Sequence, residues 1–224
     1  MRTIGLLVLA GSMLGLSTLR AAPLCTAGAG IWNEGDAGEG DAGKLPGSAN
    51  ITVGVGSLTK ICGSLDNSGS GGDMYEIMIT NSTFTALTAG IGVNGIDDPA
   101  LYLFDSTGHG LYANNDISGA STQAGFTLTG LTPGLYFLAI VPDNQQPEHG
   151  ANLIFGDITG TNTTVFTPVI SNTRVDGWTN AGDSSGDYSI TLRNAAFATT
   201  PEPATFGLIG LGLGLLAFAR RRAN

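Results

Sequence analysis

Basic residues are scarce in this chain. Nine Lys and Arg stand against 18 Asp and Glu, and five of the nine (Arg2, Arg20 and Arg220 to Arg222) lie in the two end segments. Between Pro23 and Thr200, Lys44, Lys60, Arg174 and Arg193 face 17 acidic residues, a net charge of −13 against −9 for the whole chain. Such a body repels phosphate backbones, which excludes nucleic acid as a partner, and it attracts cations. Histidine is scarcer still. His109 and His149 sit in Gly-rich turns and fit neither a zinc motif nor a triad order. Between the ends there is no helical periodicity of useful length.

Glycine, by contrast, supplies 35 of 224 residues, about twice the usual ~7%. Charged residues are only 12%, but hydrophobic content is 42%, so the composition is not that of a disordered chain. The body reads as period-two runs cut by turn residues. "DMYEIMIT" (73–80) puts Tyr75, Ile77 and Ile79 on one face. "TFTALTA" (83–89) does the same for Phe84, Ala86 and Thr88, "GFTLT" (125–129) for Phe126 and Leu128, and "DYSITLRN" (187–194) for Tyr188, Ile190 and Leu192. "ALYLF" (100–104) and "GLYFLAIV" (134–141) are apolar on both faces and read as central strands. "ITVGV" (51–55) and "SLTKI" (57–61) are expected to pair early in the chain, and "NLIF" (152–155) and "TTVFTPVI" (163–170) to add a hairpin. Many short, regular strands predict an antiparallel sandwich.

The two ends are of another kind. Met1 to Ala22 carries one early Arg, an apolar run and then small residues, the layout of a secretory signal peptide. The run from Phe206 to Ala219 has 14 residues without a charge. A bilayer core asks for ~20, but flanking arginines can snorkel to the interface. Arg220 to Arg222 resist translocation and would hold that end in the cytoplasm. Pro201 and Pro203 keep the stretch before the apolar run extended, and Glu202 is its one charge.

Pro201, Glu202 and Pro203, then a short apolar segment, then Arg220, Arg221 and Arg222 resemble the PEP-CTERM sorting signal of Gram-negative bacteria. The resemblance covers about the last 24 residues. It implies export, transient anchoring in the inner membrane, and processing by a membrane protease of the exosortase type. It also implies an association with exopolysaccharide and biofilm. A second resemblance covers about 64–194. "GGDMYEIMI", "DDPALYLFDSTGHGLYANND", "LTGLTPGLYFLAIV" and "SGDYSITL" are similar in order to the bacterial pre-peptidase C-terminal type of β-sandwich. That implies a non-catalytic accessory or adhesive module, some of which bind calcium. The long excursion from Pro142 to Gly186 departs from that pattern.

Candidate chemistry is sparse. Gly90, Gly92 and Gly95 match GxGxxG, but a turn and a strand follow instead of a helix. "GDSSG" (182–186) matches GxSxG, yet a strand follows and no His lies downstream of His149. Trp178 and Tyr112 are the loop aromatics that a sugar platform would expose. One constellation is rich in oxygen: Asp97, Asp98, Asp105, Asn115 and Asp116 flank the 100–104 strand and its hairpin. Hard oxygen ligands from neighbouring loops suit calcium, although Asp and Asn are equally good turn formers. Cleavage of the signal after Ala22 leaves Cys25 and Cys62 to pair in an oxidising periplasm, whereas cleavage after Ala27 leaves Cys62 alone. The tandem "EGDAGEGDAG" (34–43) has no large apolar residue and reads as a flexible linker.

The expected protein is therefore all-β. An antiparallel, jelly-roll-like β-sandwich (51–198) follows a signal helix (1–22) and an acidic Gly-rich linker (23–50), and precedes a sorting signal with a short transmembrane helix (201–224). The expected role is that of an exported, non-enzymatic protein of the cell surface or extracellular matrix, structural or adhesive and associated with polysaccharide. The alternative is an accessory domain of a secreted hydrolase, or a weak hydrolase itself. Catalysis requires a paired acid and base in a cleft, and the sequence offers no such pair.

Overall fold

Strands form here where aromatic and β-branched side chains alternate with polar ones, and Gly, Asn and Asp interrupt them at turns. The computed structural model describes residues 24–65, 71–160, 163–179 and 185–199. Among these the strands run in chain order as β1 (Ile31–Asn33), β2 (Asn50–Ile51), β3 (Lys60–Leu65), β4 (Asp73–Ile79), β5 (Phe84–Gly90), β6 (Pro99–Asp105), β7 (Gly110–Asn114), β8 (Gly125–Leu128), β9 (Gly134–Pro142), β10 (Pro147–His149), β11 (Asn152–Leu153), β12 (Gly177–Trp178), β13 (Gly186–Arg193) and β14 (Ala195–Phe197). No helix among the described residues is long and apolar enough to cross a membrane. The expected signal helix and the apolar run at 206–219 lie outside the described residues.

Two large sheets carry the body. One is ordered β1-β3-β13-β5-β8, the other β14-β4-β9-β6-β7. The far edge of β4 is shared, with β2 on Tyr75–Glu76 and β14 on Ile77–Ile79. The inner faces of the two sheets meet in a single buried cluster. Ile61, Phe84, Ala86, Tyr188 and Ile190 come from the first sheet; Tyr75, Ile77, Leu101, Leu103, Leu138 and Ile140 come from the second. Tyr75, Ile77 and Ile79 share a face because strand periodicity is two, so alternation alone identified them.

The outer face of the second sheet is also covered. Met74, Tyr102, Phe104, Phe137 and Val141 pack against Ile154, Phe155, Ile158, Val175 and Trp178. These covering residues come from the excursion after β9, whose strands form a small third sheet ordered β11-β10-β12. Both faces of β6 and β9 are therefore buried, which is why neither alternates. Full burial of each large apolar side chain is worth ~1.5–3 kcal/mol, so the excursion stabilises a face that would otherwise be wet.

Three expectations are corrected. The sheets are mixed and not purely antiparallel: β1 runs parallel to β3, and β2 parallel to β4. Each of these pairs is joined by a long crossover and not by a hairpin, and that connection permits parallel pairing. Segments 51–55 and 57–61 do not pair with one another, because β2 and β3 belong to opposite sheets. Residues 152–155 and 163–170 form no hairpin ladder: Val169 and Ile170 N–H donate to the Ile154 carbonyl (2.8 and 3.3 Å), but Phe166 bridges Ala113 and the strand partner of Asn152–Leu153 is β10.

The stretch expected as a flexible linker is built into the body. Trp32 is buried in the main core. The amide N–H groups of Ala42 and Ser64 donate to Glu34 Oε1 (2.8 Å) and Oε2 (3.0 Å), and Trp178 Nε1 donates to the Lys44 carbonyl (2.7 Å). A disulfide joins Cys25 to Cys62. Long-range partners replace the apolar side chains that the repeat lacks.

Candidate functional site

The register of three antiparallel strands builds an acidic corner. β6 pairs with β9 so that Pro99 faces Pro142, and with β7 so that Leu101 faces Asn114. The residues just before β6 (Asp97, Asp98), just after β7 (Asn115, Asp116) and just after β9 (Asp143) thus emerge at one end of the sheet. The backbone closes the corner, with Asp143 N–H donating to the Asp98 carbonyl at 3.0 Å.

Asp98 is pushed from its ordinary 3.8 up to about 6, first by burial and then by the carboxylates of Asp143, Asp116 and Asp97. Asp143 is also raised, chiefly by burial, with Asp116 and Asp157 adding repulsion and the Asn115 amide opposing them. Oδ1 of Asp98, of Asn115 and of Asp143 are buried without a hydrogen-bond partner. Such an acceptor costs about 1–3 kcal/mol each, and nearly all buried polar atoms in native proteins have a partner.

The other expected members of the set are placed differently. Asp97 is exposed, and its carbonyl takes up Thr122 Oγ1 and Gln123 Nε2. Asp105 is not in the corner at all. It ends β6, which is seven residues long, so roughly 20 Å of strand separates it from Asp98. Its Oδ1 accepts from Thr107 N–H (2.8 Å), Thr107 Oγ1 (2.6 Å) and His109 N–H (3.0 Å). Burial pushes its carboxyl up, but these hydrogen bonds outweigh burial and hold it below the usual range. Asp105 closes a turn, and His109 is its partner at 3.1 Å. Asp143 stands in its stead. The local sign of Asp143 is an Asp-Asn turn ending an apolar strand; nothing local links that turn to Asp98, 45 residues earlier.

A second acidic group lies elsewhere, between the N-terminal segment and β4. Carboxylate oxygens of Glu34, Asp41 and Asp73 lie within 4.8 Å of one another. Burial raises Glu34 despite its two backbone donors. Tyr188 is fully buried and donates to Asp73 Oδ2 at 2.5 Å. With its one hydroxyl proton used there, Tyr188 accepts from Tyr75 at 2.6 Å. A cavity of about 240 Å³ opens beside this group, lined by Asp41, Lys44, Leu45, Ser48, Gly72 and Asp73 among others. Sequence reasoning does not join these residues, because Glu34 and Asp41 belong to the repeat that reads as linker.

The remaining motifs have structural uses. Gly90 and Gly95 pack backbone to backbone, and a Cβ on Gly186 would lie 2.3 Å from the Asn94 carbonyl oxygen. Gly90 and Gly95 therefore serve a tight backbone contact beside β13, whereas Gly92 stands in open space and is required by its positive φ of 66°. His149 is exposed beside Asp176 at 3.0 Å. Trp178 packs edge-on against Tyr102 at 5.4 Å between ring centroids and Tyr112 is half-buried against the main core, so neither is an open sugar platform. Residues Pro201, Glu202, Pro203, Arg220, Arg221 and Arg222 lie outside the described residues.

Comparison with protein families decides the C-terminal end: the PEP-CTERM protein-sorting motif matches residues 199–223. The chain carries a PEP-CTERM sorting motif. It marks an exported protein sorted by an exosortase, with transient membrane anchoring on the way to the cell surface. No curated protein matches the chain.

Proposed function

We propose that the protein is a non-enzymatic, jelly-roll-like β-sandwich of the cell surface or extracellular matrix, structural or adhesive in role and associated with exopolysaccharide. The sorting motif at 199–223 is the observation that carries this reading. It sends to the cell surface a β-sheet body held by a disulfide, the kind of body expected to persist in an oxidising compartment. The resemblance of 64–194 to the pre-peptidase C-terminal type supports an accessory or adhesive module.

The test has two arms. In a host that possesses an exosortase, the chain with residues 199–223 deleted is expected to fail to reach the cell surface, while the intact chain reaches it and loses its tail. The exported protein is then incubated with an array of polysaccharides. Specific retention supports the binding role. Turnover of any polymer refutes the non-enzymatic reading and favours a secreted hydrolase.

A further inference from the structure

We infer that the end of the sandwich from which the sorting tail leaves is a membrane-facing surface, which seats on an anionic bilayer while the tail is anchored. The inference rests on that anchoring and not on the polysaccharide role. The body grips its own C-terminal strand up to the first residue of the motif. Ala198 N–H donates to Thr52 Oγ1 at 3.0 Å, Thr199 N–H to the Thr52 carbonyl at 3.1 Å, and Gly54 N–H to the Thr199 carbonyl at 2.9 Å. Six residues, Thr200 to Thr205, then precede the uncharged run that starts at Phe206. Even fully extended, they hold Thr199 within about 25 Å of that run.

Strand direction sorts charge between the two ends of the body. At the tail end lie the starts of β3, β5 and β9 and the ends of β4, β6, β8 and β13. The segments there, 52–59, 80–83, 106–109, 129–133 and 194–199, contain no Asp or Glu. Asp105, at the end of β6, is paired with His109 at 3.1 Å. Three of the four basic residues between Pro23 and Thr200 stand at this end. Lys60 and Arg193 share the outer face of the first sheet, where Lys60 is half-buried and Arg193 exposed, and Arg174 lies against Gly108. The opposite end holds Asp73, Asp98, Asp116, Asp143 and Asp187. It lies a strand of seven residues away, roughly 20 Å, which exceeds the ~8 Å Debye length at physiological salt. An anionic bilayer therefore attracts the tail end while the far acids are screened from it. The tip is also apolar. Val55 is 78% exposed and Ile51 39%, and they flank the Thr52–Gly54 stretch that grips the tail; one carboxylate, Glu76, stands level with Ile51 on β4. Two such side chains alone would decide nothing. Beside a short tether they count, because an effective concentration in the mM range populates a contact too weak for a free body.

Val55→Trp and Val93→Trp place reporters at the two ends. Val93 is fully exposed and follows β5, beside the Gly95–Asp187 bridge at the far end. Each full-length variant, with its disulfide intact, is reconstituted into vesicles of phosphatidylglycerol or of phosphatidylcholine with brominated acyl chains. Trp32 and Trp178 are a common background. In phosphatidylglycerol the reporter at position 55 is expected to be quenched about threefold or more as strongly as that at 93. The difference should shrink in phosphatidylcholine, and in phosphatidylglycerol at about 0.5 M salt, where screening is tighter. Lys60→Glu with Arg193→Glu should shrink it likewise, and the salt series is the arm that needs no altered charge in the fold. Equal quenching at the two positions overturns the inference, as does a preference for 55 that is the same in phosphatidylcholine, which the tether alone would give. A reporter at 55 that stays in water on pure lipid also overturns it, and points to a protein partner for this face. Flotation with the vesicles reads the anchoring separately, and a chain that does not float removes the premise and the inference together.

Discussion

Removing the Cys25–Cys62 bond is expected to destabilise the body by about 4 kcal/mol. The two residues are 37 apart in sequence, and closing a loop of that length removes chain entropy from the unfolded state worth roughly 4 kcal/mol at 25 °C. For a chain of this size that corresponds to a fall in melting temperature of roughly 8–16 °C. The folded state loses little directly, because Asn33 Oδ1 still accepts from the Cys25 amide (2.8 Å) and Glu34 still accepts from Ala42 and Ser64. Cys62 is fully buried, so reduction should require partial opening and be slow in native buffer. The assay is urea unfolding of the oxidised protein, of the reduced protein, and of Cys25→Ser/Cys62→Ser together. The urea slope m should rise on removing the bond, since an uncrosslinked chain exposes more surface. Intact mass of the exported form checks the premise, because a signal cut after Ala27 would discard Cys25. A double variant that unfolds at the same urea concentration as the parent would refute the entropic argument.

Two more predictions follow from buried polar groups. Tyr188→Phe deletes one hydrogen bond to Asp73, itself 3% exposed, and should cost about 2–3 kcal/mol in urea unfolding; an unchanged midpoint would remove that hydrogen bond as a stabilising element. In EDTA, stability should fall as pH rises from about 4 to 7: Asp98 stands at about 6 in the fold against an ordinary 3.8, so its neutral form is favoured and its contribution is present below ~3.8 and lost through about 6. The two-unit shift would be worth ~3 kcal/mol if fully realised, but Asp98 is partly exposed and solvent screening leaves about 1 kcal/mol. Raised Glu34 and Asp143 act in the same direction. Asp98→Asn should flatten the melting profile between pH 4 and 7, and a profile that keeps its slope would count against Asp98.

The inward faces of β4, β5 and β13 are legible in the sequence, because alternation is a property of neighbouring residues and needs no partner to be read. The two-sided apolar runs at 100–104 and 134–141 likewise announce that both faces are covered. They do not say by what, since the cover comes from Ile154, Phe155 and Val175 in an excursion with little periodicity of its own. The acidic corner is half legible. Asp98, Asn115 and Asp116 stand out as oxygen-rich turns. Asp105 has the same character, and only the direction of β6 sends it to the opposite end. Asp143 enters through strand register alone.

Sequence by itself determined the address of this protein and its β character. A Pro-Glu-Pro segment, an uncharged run and a terminal Arg cluster act through local charge and hydropathy, and period-two patterning acts through local geometry. Tertiary structure decided which carboxylates meet. Glu34 meets Asp73, 39 residues later, between the two sheets, and Asp98 approaches Asp143, 45 residues later, through the β6–β9 pairing, and local pattern carries no record of contacts that distant. The same long-range contacts turn the repeat at 34–43 from an apparent linker into part of the body, because backbone hydrogen bonds and a disulfide supply there what its side chains do not.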